Sequence, residues 1–179
     1  MRQRATGGRR SRLRGSGLRA LKLWHGFDYR GTPVYVHWSM TLLLAYAAVG
    51  ALLAGLPALV AGAAYFGVLL VHEAGHAELA RRLGYEVYRI ELHTVIGLCY
   101  LEQPRTRQDD ALIAWGGVLA QAGILVPCLV LRELLGQTSF PSLNVALVFG
   151  VYFNGFTMLM NLVPIAPLDG HKAWRLLRG

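Results

Sequence analysis

The sequence predicts an all-α polytopic membrane protein, with about four transmembrane helices and a short membrane-associated β-hairpin between helices two and three. Three observations predict it. Of 179 residues, 54% are hydrophobic and 16% charged, against about a quarter charged in soluble domains. Asp, Glu, Lys and Arg are absent from residues 31–71, 111–131 and 134–168, and each stretch reaches the roughly 20 residues a helix needs to cross a bilayer core. Residues 85–101 are instead rich in Val, Ile, Tyr, Leu and Thr, with charges interspersed, which is the texture of short strands.

The chain opens on a basic arm. Arg2, Arg4, Arg9, Arg10, Arg12, Arg14, Arg19 and Lys22 all precede the first acidic residue, Asp28, among several glycines and serines. Residues 1–30 read as a disordered cytoplasmic arm and 31–179 as a membrane-embedded domain. The arm is best explained as a topology signal facing a lipid bilayer, and no nucleic-acid partner is expected.

The first uncharged stretch is too long for one helix and breaks at Gly55-Leu56-Pro57. It divides into span one, 38–56, and span two, 57–80, with Pro57 in the first helical turn, where its missing N–H costs little. Span three is 111–131. Span four is 143–163, after which Pro164 and Pro167 interrupt regular helix. In 85–101 Val87, Arg89 and Glu91 oppose Tyr88, Ile90 and Leu92, and Gly97 divides the run into two strands. Cys99 and Cys128 have neither metal-ligand nor disulfide-framework spacing.

Basic residues set the orientation. Nine Lys and Arg precede span one, five lie between spans two and three, three follow span four, and the opposite side has only Arg132. Both termini and the strand loop are therefore expected on the cytoplasmic side of a multi-pass protein, for which the Arg, Ala and Gly usage fits a bacterial inner membrane. The sequence does not address oligomeric state.

Span two contains His72-Glu73-Ala74-Gly75-His76. Residues four apart share a helix face, so both imidazoles can reach one tetrahedral zinc, with Glu73 close enough to take a proton from water. Three ionisable groups inside an apolar span cost about 2.5–3.5 kcal/mol each or more, which favours a functional use. A third protein ligand is required. His25, His37, His93 and His171 lie in the arm, at the start of span one, in the strand loop and beyond span four. Asp169 is favoured, because its prolyl segment follows the cytoplasmic end of span four, at the depth of the two histidines in span two.

The pairing of His72-Glu73-Ala74-Gly75-His76 with Asn161-Leu162-Val163-Pro164-Ile165-Ala166-Pro167-Leu168-Asp169-Gly170 resembles the site-2 protease family of intramembrane zinc metallopeptidases. Val36-His37-Trp38-Ser39 resembles the segment opening the family's first helix, and Gly97 its glycine-containing hairpin. The resemblance runs from about residue 33 to residue 170. It implies a zinc metalloendopeptidase that cleaves transmembrane segments of membrane-spanning protein substrates, in regulated intramembrane proteolysis. It implies one Zn2+ per chain, held by His72, His76 and Asp169, with Glu73 as catalytic base and with Asn161, Pro164 and Gly97 at the substrate. One departure stands out. The family often carries a glycine-proline pair and a later asparagine in its third core helix, where this chain has Gly116-Gly117-Val118-Leu119-Ala120-Gln121, with Gln121 near the asparagine position. Gly116 and Ala120 still offer a small-residue face to a neighbouring helix. Rival readings are a membrane metal-binding or transport protein and a catalytically inactive scaffold of the same fold.

Overall fold

The computed structural model describes residues 23–177. The described residues are mainly helical, with one four-stranded sheet. Residues 1–22, on which most of the basic arm falls, lie outside the described residues.

The first difference from expectation is at the end of that arm. Leu23–Tyr29 forms β1 and Thr32–His37 forms β2, an antiparallel hairpin turned by Arg30 and Gly31. Both turn residues have positive φ, 49° and 79°, the geometry of a two-residue turn that matches strand twist. Residues 23–29 of the expected arm are thus a strand of the sheet, with Arg30 in its turn. The expected hairpin is present as β3, Val87–Leu92, and β4, Gly97–Leu101. β2 pairs parallel with β3, so the order is β1-β2-β3-β4. The expected all-α class with one hairpin becomes a helical protein with a four-stranded sheet. Parallel pairing joins segments separated by two helices, which no local pattern reports.

Those two helices are α1, Ser39–Ala54, and α2, Leu56–Arg82, parted at Gly55 with Pro57 in the first turn of α2 as expected. Arg81 Nη2 donates to Thr32 Oγ1 at 2.6 Å and Arg30 pairs with Glu78 at 2.6 Å, which ties the β1–β2 hairpin to the end of α2. Val34, Ile90 and Leu92 of the sheet pack with Met40, Leu69 and Ala77 of the two helices in one buried cluster.

Helix α3, Arg107–Leu135, starts at Thr106, whose hydroxyl oxygen caps Asp109 N at 3.0 Å. Helix α4, Pro141–Asn161, contains a π-helical turn at Phe149–Phe153. A four-residue helix, α5, Gly170–Ala173, follows a prolyl loop.

Among the described residues three helices, α2, α3 and α4, are long and apolar enough to cross a membrane. The fourth expected span, α1, has 16 residues, about 24 Å at 1.5 Å per residue, against a core of about 30 Å. The distribution of polarity is the reverse of a soluble protein's. Leu52 and Leu53 are 87% and 85% exposed, and Leu134, Phe156 and Leu159 also face outward, while His72, Glu73, His76, Gln121 and Asn154 are buried. A continuous apolar exterior of this kind suits lipid.

Candidate metal centre and cavity

His72 and His76 lie on the face of α2 turned toward α3, Glu73 faces β4, and all three are at least nine-tenths buried. The two helices approach closely because glycine meets glycine. A Cβ on Gly75 would lie 2.8 Å from the carbonyl carbon of Gly116, and a Cβ on Gly116 would lie 2.9 Å from that of Gly75. Ala120 also faces Gly75, so the small-residue face expected on α3 is where the helices touch. Gly117, one residue on, keeps space beside the imidazoles: a Cβ there would lie 2.5 Å from His72 Cε1 and 2.6 Å from His76 Nε2.

Asp169 reaches the histidines from the prolyl loop after α4. Its backbone oxygen accepts from the N–H groups of Lys172 and Ala173, which starts α5 at this residue. Two tryptophans anchor the segment. Trp115 Nε1 donates to Ala173 O at 3.1 Å, Trp174 Nε1 donates to Leu162 O at 2.5 Å, and the two rings meet edge to face. Lys172 pairs with Asp110 at the head of α3 at 3.0 Å.

The ligand atoms converge. Asp169 Oδ2 lies 2.9 Å from His72 Nε2 and 3.2 Å from His76 Nε2, and the two Nε2 atoms are 3.0 Å apart. Zinc bound at about 2.0–2.1 Å by tetrahedral ligands would separate them by about 3.3 Å. Among the described residues this is the group of three His, Cys, Asp or Glu with ligand atoms within 4.8 Å of one another. Burial works against ionisation of Asp169, but its hydrogen bonds with His72 and His76 outweigh this and hold the carboxyl below its ordinary range. His76 Nδ1 lies 2.8 Å from Ile113 O. A carbonyl only accepts, so Nδ1 carries a proton and His76 turns Nε2 toward the carboxylate. A proton or a metal cation must sit between them, and the donor set, with the open cradle at Gly117, fits zinc.

A cavity of about 750 Å³ surrounds the cluster. Glu73, Gly97, Asn161 and the three candidate ligands line it, and so do residues of β4. Asn161 Nδ2 lies 3.4 Å from His72 Nε2. Pro164 is not brought to this place. It is exposed and borders a separate shallow depression with Leu162, Trp174 and Leu177, while Pro167 lines the cavity. Sequence reasoning left Gln121 without a role. It is 1% exposed, and its Oε1 lies 3.0 Å from His72 Nδ1. The signal was present, as the single amide side chain in an uncharged apolar stretch. Tyr65 was also overlooked. It hydrogen-bonds to Thr94 O in the β3–β4 turn and stacks on Phe153 of the π-helical turn at the cavity wall.

The helical core thus has an apolar exterior and brings together two buried histidines and one partly buried carboxylate. The structure is similar to that of the site-2 protease from Methanocaldococcus jannaschii, with a TM-score of 0.68 and 21% identity over 87% of this chain and 71% of that one. The chain has a site-2 protease-like fold. No protein-family model matches the sequence, and no curated protein does.

Proposed function

We propose that this chain is an intramembrane zinc metalloprotease that hydrolyses peptide bonds in or near transmembrane segments of membrane proteins. His72, His76 and Asp169 hold one zinc ion, and Glu73 is the general base. The observation that carries this reading is the meeting of three ligand atoms from α2 and the loop after α4, within 3.2 Å of one another, in a cavity that also contains a buried glutamate. The site-2 protease-like fold supports the same reading.

Zinc, when bound, activates water and polarises the scissile carbonyl. Glu73 accepts the proton released by water and returns it to the leaving amine. Asn161, beside His72, donates its amide N–H to the developing oxyanion. In lipid an intact substrate helix hides its carbonyls in its own hydrogen bonds, so the scissile segment must unwind and find new partners. β4 is the edge strand of the sheet and lines the cavity. It offers backbone groups to an unwound segment added as a further strand.

The β1–β2 hairpin is tied to the end of α2 that carries Arg81 and Arg82, and the C-terminal segment returns to the same end of α3 through the Lys172–Asp110 pair. This grouping of basic residues supports a cytoplasmic placement for that end, in a bacterial inner membrane. On that placement water has a short path to the cluster.

The test is metal analysis with a cleavage assay on a helical membrane substrate, for the wild type and Glu73→Gln. Zinc in both proteins and new chain ends only with the wild type are expected. Zinc without new chain ends in the wild type favours metal binding or transport, and a wild type that takes up no zinc refutes the proposal.

A further inference from the structure

Gln121 faces the candidate metal centre from behind His72, and its surroundings fix which way its amide points. Thr157 Oγ1 donates to Asn154 O at 3.0 Å, one turn back on α4. With its proton committed there, the hydroxyl accepts from Gln121 Nε2 at 2.9 Å. The amide oxygen is thereby turned to His72 Nδ1, at 3.0 Å. Asn154, fully buried, donates Nδ2–H to Gln121 O at 2.9 Å and fastens the backbone of α3 to α4 at this level. The order of donors therefore runs one way, from His72 Nδ1–H to Gln121, from Gln121 to Thr157, and from Thr157 to the backbone of Asn154.

We infer that Gln121 is a positioning residue for the metal centre: it holds His72 in the tautomer protonated at Nδ1, so that the Nε2 lone pair faces the position shared with His76 and Asp169. This inference rests on the zinc reading above. The same result is reached for His76 by a different acceptor, the carbonyl oxygen of Ile113. Both imidazoles are thus oriented from α3, by one side chain and one backbone group placed on either side of the Gly116–Gly117 contact. A hydrogen bond to the remote nitrogen of a ligating histidine sets ring orientation and basicity, and its loss typically weakens metal binding by about 10–100-fold.

The test compares zinc affinity, by competition with a chromogenic chelator, in purified full-length wild type, Gln121→Met and Gln121→Glu. Thermal unfolding of the metal-free proteins reports folding alongside. Methionine fills the glutamine's volume without an acceptor, and is expected to weaken zinc binding about 10–100-fold. Glutamate restores an oxygen acceptor for Nδ1–H and is expected to bind zinc close to wild type. A residue needed only for packing reverses this order, because methionine suits a buried apolar site and a buried carboxylate does not. Wild-type affinity in folded Gln121→Met, or equal losses in both variants, overturns the inference. Should Gln121→Met fail to fold, Thr157→Val removes the acceptor that orients the amide. It is expected to weaken zinc binding, and unchanged affinity there overturns the inference equally. A wild type without zinc affinity removes the metal reading itself, an outcome distinct from a metal-binding wild type with an indifferent Gln121.

Discussion

Gly97 of β4 stands directly against Glu73 of α2: a Cβ on Gly97 would lie 2.5 Å from Glu73 Cδ. The edge strand and the candidate base thus share one position, and glycine is the residue that leaves the carboxylate its place. Gly97→Ala meets the end of a flexible side chain, so the fold should tolerate it by swinging Glu73 aside. We expect a folded protein that retains zinc and cleaves at least about tenfold more slowly, given that a positioned acid–base group contributes about 10²–10⁴. Zinc content and cleavage rate measured on one preparation check this, and unchanged cleavage would separate Gly97 from the chemistry.

Glu73→Gln preserves shape and removes the basic oxygen. Cleavage should fall by about 10²–10⁴ while zinc stoichiometry stays at one. Residual proteolysis near the wild-type rate would refute Glu73 as base.

Asp169→Ala removes the one proposed ligand that comes from outside α2. Two histidines on one helix then remain, one short of the three protein ligands usual for a catalytic zinc site. Zinc content after dialysis should drop well below one per chain. Full occupancy in this variant would mean that the third ligand lies elsewhere.

Gly116→Val inserts a branched side chain where the carbonyl of Gly75 lies, with backbone on the far side that cannot yield. Overpacking of this kind costs about 1–3 kcal/mol, and the displaced helices would carry His72 and His76 with them. Thermal unfolding in detergent should show the loss. Gly123→Ala, on the same helix with nothing within 4 Å of where its methyl group would sit, should not lower stability, since alanine favours the helix over glycine.

Burial, and next the Glu73 carboxylate, push the Cys99 thiol up from 9.0 to about 12, with Arg81 acting in the opposite sense. The folded state favours the protonated thiol, so its contribution to stability is present below the ordinary thiol value and is lost as pH rises from there through about 12. In a Cys128→Ser background, maleimide labelling of folded protein should stay slow from pH 7 to 9, and unfolding should accelerate it. Rapid labelling at pH 7 would contradict a partly buried, neutral thiol.

The parts of this protein that were legible in its sequence are those with local causes. Uncharged length marks three of the four expected spans as helices long and apolar enough to cross a membrane, the Gly55–Pro57 break divides α1 from α2, and a four-residue spacing places His72 and His76 on one face. Other features follow from contacts between distant segments. The hairpin 23–37 joins β3 in parallel across two helices, where an arm was expected. Asp169 lies 97 residues from His72 and reaches it because Trp115 and Trp174 anchor the returning chain. The same folding turns Pro164 away from the cavity and brings Gln121 to His72. Helix periodicity is a property of the backbone, so one segment suffices to reveal it. Which side chain meets a given imidazole depends on where glycines let helices touch and where loops return, and only the assembled structure decides that.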